Sequence, residues 1–235
     1  MTDEVIDTSP LDLLALPMFD ELSVEYSTRY QDFRAGPAEV VRDELLTYPV
    51  ALFAPPDGAF ILIRRGDEVV GGGAFQRYDD TTAELKRIWA HSGVRRQGVA
   101  RRVVAELEAR ALKQGYRRVY LTTGFRQPEA SALYFGTGYE PLYNPAIAPE
   151  VHWRLPFAKD LLEPGRIEHL QDLKSGQAVG SAVRCMTHEY FHGIPKNESS
   201  SRNRPGFVQC ICGRGNGGCR HRAIGDVVQP ESRSA

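Results

Sequence analysis

The chain has 235 residues, of which 42% are hydrophobic and 25% are charged, and its formal net charge is -1 at pH 7. This length holds one medium domain with an appendage or two small domains, and a net charge near zero gives no reason to expect bulk binding of nucleic acid or of a membrane. No run approaches the roughly 18 to 20 apolar residues that a bilayer span needs. The acidic amino terminus is the opposite of a secretory leader, so we expect a cytoplasmic protein.

The first 80 residues predict helices followed by antiparallel strands. Residues 4–7 form a candidate first strand, and apolar residues recur at helical spacing over residues 10–30 and 38–47. A Pro-Pro-Asp-Gly turn at residues 55–58 precedes a predicted buried strand at residues 59–63. Residues 65–68 then close a hairpin into a strand at residues 69–75.

Three consecutive glycines, Gly71, Gly72 and Gly73, lie inside this last strand. Glycine weakens a strand and marks either tight packing or a place where another group approaches the backbone. Tight packing of the sheet and access for a substrate are both compatible with the sequence.

Residues 83–111 predict a strand, a basic loop and an amphipathic helix, and the rest of the chain is arranged around them. The strand at residues 83–90 is unusually charged, so one of its faces is expected to border a cleft. The helix places one apolar face against a sheet, formed by Val99, Val103, Val104, Leu107, Ala111 and Leu112. Gly115 ends this helix, a strand follows at residues 119–123, and Pro128 starts a short helix that runs to residue 135.

The basic loop before the long helix suits an anion. A helix N-terminus offers unpaired N–H groups with partial positive charge, and arginines beside it favour phosphate. Gly93 and Gly98 have the spacing of a Walker loop, but Val99 and Ala100 follow where lysine and serine or threonine are needed. The Gly-x-Gly-x-x-Gly pattern of a dinucleotide-binding turn is also absent.

Two motifs resemble those of the GNAT superfamily of N-acetyltransferases. The pyrophosphate loop Arg/Gln-x-x-Gly-x-Gly/Ala is matched by Arg95, Gly98 and Ala100. Downstream, an Asn-x-x-Ala-x-x-Leu-Tyr-x-x-x-Gly-Phe block is matched by Gln127, Ala130, Leu133, Tyr134, Gly138 and Tyr139. The resemblance covers roughly residues 5–161. It implies an α+β fold with a GNAT-like mixed central sheet, antiparallel in its N-terminal half and parallel in its C-terminal half, flanked by helices.

The resemblance also implies acetyl-CoA as the acetyl donor and assigns residues to it. Backbone N–H groups of the loop would hold the pyrophosphate, and the end of the charged strand would hold the pantetheine arm and polarise the thioester. Some loop arginines could instead only solubilise the helix, and the Trp89 side chain could be plain core. The implied cofactor-binding residues are Ile88, Trp89, Ala90, Arg95, Arg96, Gln97, Gly98, Val99, Ala100, Arg101, Gln127 and Ala130.

Two residues are candidates for proton transfer. Tyr134 occupies the family's tyrosine position, and a tyrosine with a pKa near about 10 can protonate a thiolate whose conjugate acid titrates near about 8.5. Glu84 is the best carboxylate on the charged strand for taking a proton from an ammonium. The alternatives are that Tyr134 only packs under the loop and that Glu84 forms a structural ion pair with Lys86, two residues away on the same face.

Acidic residues of the first helix, Asp20, Glu21 and Glu25, could line an acceptor pocket together with Tyr26 and Tyr30, or could form a solvated helix face. We expect a catalytic domain at residues 1–161 and a disordered or small irregular extension at residues 162–235. The extension contains all four cysteines, and Cys210, Cys212, Cys219 and His221 could hold zinc. Their spacing is not that of the usual zinc knuckles, so we assign no metal-binding residue.

The sequence therefore predicts an acetyl-CoA-dependent N-acetyltransferase that acetylates a primary amine of a small molecule. Transfer would be direct, in a ternary complex, because the catalytic part has no cysteine to carry the acetyl group. A non-catalytic acyl-CoA sensor, a protein or peptide acetyltransferase and a zinc-dependent nucleic-acid module in the tail are the alternatives. A homodimer is compatible with the sequence, which does not determine the oligomeric state.

Overall fold

The computed structural model describes residues 2–32 and 37–162. The predicted extension at residues 162–235, with its cysteines and the candidate zinc ligands, lies outside the described residues except for Leu162. The division into two parts thus stays a prediction.

Within the described residues, one mixed sheet runs in the order β1-β2-β3-β4-β5-β7-β6. Its strands are β1 (Asp3–Asp7), β2 (Ala59–Arg65), β3 (Glu68–Arg77), β4 (Thr82–Ala90), β5 (Arg118–Gly124), β6 (Glu140–Pro141) and β7 (Arg154–Asp160). The β4–β5 pair is parallel, and the other neighbouring strands are antiparallel. The predicted α+β mixed sheet is confirmed, and its parallel part is the β4–β5 step.

The helices are α1 (Leu16–Arg29), α2 (Ala38–Leu46), α3 (Val99–Lys113), α4 (Pro128–Gly136) and a short α5 (Pro149–His152). Pro17 and Pro128 lie in the first turns of α1 and α4, where proline costs no helical hydrogen bond. Gly98 and Gly115 flank α3 with φ angles of 82° and 97°. Such left-handed backbone favours glycine, so these two residues determine where α3 begins and ends.

Helices cover both faces of the sheet. The apolar side of α3 packs with Ile61 and Ile63 of β2, whereas Phe60 and Leu62 pack with α1 and α2 on the other face. This division follows from the alternation of side chains along a strand.

The three glycines of β3 lie where the helices approach the sheet closely. A Cβ atom on Gly71 would come within 2.5 Å of Val99 Cγ1 in α3, and one on Gly72 would come within 2.9 Å of Met18 Sδ in α1. A Cβ on Gly73 would also crowd α3, at 2.9 Å from Val103 Cγ1. The glycines therefore serve tight packing on both faces of the sheet, the first of the two open interpretations.

The sequence patterns did not predict β7, which carries three charged residues and a proline. It forms because all seven of its residues pair with β5. Among the described residues, no helix has both the length and the apolar character needed to cross a membrane.

Candidate active site

The site begins where β4 and β5 part. The two strands pair at three positions, of which Glu84 with Tyr120 is the last, although β4 continues to Ala90 and β5 to Gly124. Past this point, β4 contains Arg87 with a φ of 57°, and its register against β3 shifts between Gly72 and Ala74. Such an irregularity bends a strand away from its neighbour. A gap therefore opens between the carboxyl ends of β4 and β5.

The predicted anion cradle lies at the end of β4. A short 3-10 turn at Ser92–Val94 leads to Arg96, whose φ is 63°, and then to Gly98 and the start of α3. The first hydrogen bond of the helix runs from Arg102 N to Gly98 O, at 3.0 Å. No hydrogen bond from the N–H groups of residues 98–101 is found within the described residues, so these donors are available to an anion.

The arginine side chains around the cradle are of two kinds. Arg95 pairs with Glu25 of α1 at 3.0 Å, and Arg102 reaches Asp3 of β1 at 3.4 Å. Within the described part of the chain, no ion pair engages Arg96 or Arg101. Two of these four cations thus make ion pairs within the fold, and which of the four contact a ligand stays a prediction.

Gln97, the remaining polar side chain of the loop, is also held by the fold. Its Oε1 accepts a hydrogen bond of 2.9 Å from Arg65 Nη1 of β2. Val99 is buried against the sheet, and Ala100 is half-buried. The side chains of Gln97 and Val99 thus make contacts within the fold, and binding of the cofactor by these three residues stays a prediction.

The end of β4 supplies the residues predicted to hold the pantetheine arm. Trp89 is buried on the α1 face, and its Nε1 donates to Glu21 Oε2 at 3.0 Å, so this side chain is core. Ile88 and Ala90 pack partly buried against the α3 side. Burial opposes ionisation of Glu21, but hydrogen bonds from Ser92 and Trp89 hold the pKa of that carboxyl below its usual range. Glu21 thereby fixes the start of the cradle to α1.

A cavity of about 320 Å³ lies over the gap, between the two strands and helices α1 and α2. Among the residues that the structure describes, five tyrosines line its wall, and its charged lining consists of one acid and three bases. The tyrosines are Tyr26, Tyr30, Tyr48, Tyr78 and Tyr120. The charged residues are Glu84, Lys86, Arg87 and Arg154.

Glu84 is the acid of the cavity wall, and its side chain is 5% exposed. Its Oε1 accepts from Lys86 Nζ at 2.7 Å, and its Oε2 accepts from Gln76 Nε2 at 3.0 Å. The structure therefore contains the predicted ion pair and also places the carboxylate against the cavity. Both alternatives for Glu84 are compatible with this geometry.

Tyr134 lies in α4, buried among the rings of Tyr139 and Phe157. Burial and the nearby Tyr26 raise its pKa above the usual value of a tyrosine, so the hydroxyl stays protonated at neutral pH. Tyr26 lines the cavity. Tyr26 therefore lies between the cavity and Tyr134, the buried tyrosine of the second motif.

Gln127, at the family's asparagine position, precedes α4 and lines the cavity. Its Oε1 accepts from Thr123 Oγ1 at 3.0 Å and from the backbone N of Gly124 at 3.2 Å. Its amide therefore joins the end of β5 to α4. Ala130, one turn later, packs partly buried against the α3 side of the core.

Tyr26 and Tyr30 of the candidate acceptor pocket line the cavity, whereas the acidic residues of α1 are not among its described lining residues. Glu25 pairs with Arg29 at 3.2 Å as well as with Arg95, and Arg29 in turn pairs with Glu129 of α4. Asp20 pairs with Arg42 of α2 at 3.0 Å. These carboxylates tie α1 to the cradle, to α4 and to α2.

Sequence reasoning missed several residues of the cavity wall, namely Arg87, Tyr78, Tyr120 and Arg154. None of them belongs to a motif, and Arg154 lies on β7, which was not predicted. The one signal available was the excess of charge on the strand at residues 83–90, which did predict a cleft on that strand.

Three comparisons with known proteins bear on this geometry. A model of the acetyltransferase (GNAT) family matches residues 17–139. The uncharacterized N-acetyltransferase YjgM of Escherichia coli is 27% identical over 123 residues, which cover 51% of this chain and 71% of YjgM.

Solved structures show the same fold. A GNAT-family acetyltransferase from Staphylococcus aureus aligns with a TM-score of 0.52 at 15% identity, over 68% of this chain and 99% of the other. An acetyltransferase from Streptococcus agalactiae aligns with a TM-score of 0.51 at 16% identity, over 67% and 98%. Since the family model spans more than half of the sequence, the chain belongs to the GNAT family of acetyltransferases, enzymes that take an acetyl group from acetyl-CoA.

Proposed function

We infer that this chain acetylates a primary amine of a small molecule, by direct transfer from acetyl-CoA in a ternary complex. The observation that carries this inference is the cavity over the β4–β5 gap, which is lined by residues of both strands. Its volume of about 320 Å³ suits a small acceptor. We take the catalytic domain as residues 1–161, where the sequence has no cysteine to form an acetyl-enzyme.

The residues at the start of α3 and at the end of β4 fit acetyl-CoA, the acetyl donor. The free N–H groups at the start of α3 would hold the pyrophosphate, with Arg96 and Arg101 beside them. The β4 backbone at residues 88–90, beyond the last pair with β5, would bind the pantetheine arm. An N–H group there would polarise the thioester carbonyl, which supplies the acetyl group.

Proton transfer completes the reaction. The acceptor enters as an ammonium and loses a proton to Glu84, directly or through water, before its nitrogen attacks the thioester carbon. The carbon–sulfur bond breaks, and Tyr134 donates its proton to the departing thiolate. The proton that the attacking nitrogen loses on becoming an amide returns to Tyr134 through water, and Glu84 releases its proton to solvent. Burial raises the pKa of Tyr134 further above that of a thiol, so its proton moves only as the carbon–sulfur bond breaks and negative charge develops on sulfur.

The test is thiol release from acetyl-CoA with a panel of small amines and peptides, with the N-acetyl product identified by mass spectrometry. We expect turnover with at least one small amine. If acetyl-CoA binds in calorimetry and no amine or peptide is acetylated, the chain is an acyl-CoA sensor and the proposal fails. If only peptides react, the small-molecule assignment fails.

A further inference from the structure

Gln76 is a buried polar side chain next to Glu84. It lies on β3, directly opposite Glu84 in the antiparallel ladder with β4, so the two side chains project from the same face of the sheet. Its neighbour Phe75 packs in the core on the α3 side, so Gln76 projects toward α1 and α2. Gln76 is 1% exposed and is not among the described lining residues of the cavity. A ligand in the cavity would therefore meet Glu84 and not Gln76.

The amide of Gln76 is only partly satisfied. Its Nε2 donates to Glu84 Oε2 at 3.0 Å, whereas its Oε1 is buried and has no hydrogen-bond partner among the described residues. A buried oxygen without a partner destabilises a fold, and an apolar side chain of the same size would avoid this penalty. Stability alone therefore does not account for a glutamine at this position.

The direction of this amide depends on the charge of Glu84. An ionised carboxylate only accepts hydrogen bonds, so Nε2 faces it, and the reversed amide would bring Oε1 against a carboxylate oxygen. Each oxygen of Glu84 thus has one donor, Lys86 Nζ at 2.7 Å for Oε1 and Gln76 Nε2 for Oε2. The two donors come from neighbouring strands and fix the orientation of the carboxylate, and hydrogen bonds to its charged form favour that form.

We propose that Gln76 is a positioning residue for acetyl transfer, which keeps Glu84 ionised and turned so that its remaining lone pairs reach the ammonium of the acceptor. The inference rests on the proposed function and adds to it a residue that acts only through Glu84. Gln76 belongs to neither of the two family motifs. It acts on the proton-transfer step by holding the group that accepts the proton.

The readout is the dependence of kcat/KM on pH with one acceptor amine. Gln76→Met keeps the length of the side chain and removes the donor. Since a hydrogen bond to a charged group is worth about tenfold or more, the acid limb of the profile should move upward by about one pH unit. Below the limb, kcat/KM should fall by about tenfold, and it should recover at higher pH. The affinity for acetyl-CoA should not change.

The other ionisable groups that line the cavity with Glu84 are Lys86, Arg87, Arg154 and the five tyrosines. Lysine, arginine and tyrosine ordinarily titrate at about pH 10 or above, so they do not produce an acid limb. Ionisation of the amine itself is common to all variants and cancels in their comparison.

Gln114→Met is the matched control. Gln114 Nε2 also donates one hydrogen bond, to the carbonyl of Gly58 at 3.0 Å, and its Oε1 is also buried without a partner among the described residues. This residue is not among the described lining residues of the cavity over the gap. Gln114→Met should therefore leave the acid limb in place.

Two further variants test the route through Glu84. Gln76→Glu should move the acid limb further than Gln76→Met, because a second carboxyl group beside Glu84 opposes its ionisation. It also keeps the test possible if Gln76→Met does not fold. In the Glu84→Gln background, Gln76→Met should lower kcat/KM by less than about twofold, because the group on which Gln76 acts is gone.

The outcomes separate this inference from the proposed function. Wild-type turnover is measured first, and if acetyl-CoA binds but no acceptor reacts, the proposed function fails and the inference falls with it. Once turnover is established, an acid limb that neither substitution of Gln76 moves would overturn the inference and leave the acetyltransferase standing. A loss of equal size in the Glu84→Gln background would show that Gln76 serves only packing. Chemical denaturation and acetyl-CoA binding show that each variant is folded.

Discussion

Glu84 and Lys86 form an ion pair on one face of β4, with 2.7 Å between Oε1 and Nζ. A second pair in the same chain, Glu108 with Lys159, joins α3 to β7 at 2.8 Å, and neither of its residues lines the cavity. Both ion pairs have limited exposure, but only the first lines the cavity. A comparison of the two therefore separates a catalytic role of Glu84 from a structural one.

We expect Glu84→Gln to lower kcat by about 10² to 10⁴, because the acceptor ammonium then has no base. Both variants lose an ion pair of limited exposure, so Glu84→Gln and Glu108→Gln should lower the free energy of unfolding to a similar extent. Glu108→Gln should leave kcat near the wild-type value. Steady-state kinetics and chemical denaturation of both variants make the comparison. Equal kcat values in the two variants would show that Glu84 serves only the fold.

Tyr134→Phe should lower kcat by about tenfold or more, because the departing thiolate loses its proton donor. The affinity for acetyl-CoA should hardly change, since the ring remains. Tyr139→Phe is the control, because that ring is equally buried and lies 5.6 Å from Tyr134. Calorimetry gives the affinity and thiol release gives kcat. A similar loss of kcat in both variants would assign Tyr134 to packing.

Arg95→Gln should weaken acetyl-CoA binding by about fivefold, the size of an exposed charge interaction, and more at low salt than at high salt. Glu25→Gln should strengthen it about twofold, because the paired carboxylate competes with phosphate for Arg95. Arg42→Gln is the control, since Arg42 pairs with another acid of α1, Asp20, at 3.0 Å. If Arg95→Gln and Arg42→Gln bind alike in calorimetry, Arg95 is not a phosphate ligand.

Gly71→Ala should lower the free energy of unfolding by about 1–3 kcal/mol, because the new methyl group meets Val99 in α3. It should also weaken acetyl-CoA binding, since Val99 is the first residue of the helix that forms the cradle. In the double variant Gly71→Ala/Val99→Ala, part of both losses should be recovered. Losses that simply add in the double variant would contradict this contact.

Stability should fall at alkaline pH because of the buried tyrosines. Burial raises the pKa of Tyr26 to about 12 and the pKa values of Tyr120 and Tyr134 further in the same direction. Below about pH 10, these groups are protonated in both the folded and the unfolded states and contribute nothing to the pH dependence. Above it, the unfolded state releases protons that the folded state keeps, so the free energy of unfolding falls as pH rises.

Each such tyrosine should steepen this fall by about 1.4 kcal/mol per pH unit. Denaturant titrations over the alkaline range measure it, and the ultraviolet absorbance of tyrosinate should rise together with unfolding. Tyr134→Phe should make the dependence shallower. A free energy of unfolding that stays level while tyrosinate absorbance rises would show that these hydroxyls ionise in the folded protein.

The parts of the fold that local pattern determines were predictable from the sequence. The apolar spacing and flanking glycines specify α3, and Pro128 specifies the start of α4. The antiparallel strands followed from their apolar runs and from the turn residues between them. The family motifs lie on the elements expected, which is why the cradle and Tyr134 could be located from the sequence.

What the sequence did not provide depends on pairing between distant residues. Strand β7 has no apolar pattern of its own and exists because it pairs with β5. The gap depends on the backbone of Arg87, whose positive φ no propensity predicts. Glu25 of α1 pairs with Arg95, in the loop before α3, and is linked to Glu129 of α4 through Arg29. These partners are distant in sequence, so helical spacing alone could not predict that the acids of α1 point away from the cavity.

The short β4–β5 contact has a mechanical consequence. The sheet consists of two groups of strands, β1 to β4 and β5, β7 and β6. The ladder that joins the two groups has three residue pairs. This short ladder joins the two groups of strands on one side of the gap, and the cavity over the gap borders both of them. A ligand in the gap would therefore contact both groups of strands, including Arg154 of β7, and would hold them at a fixed angle.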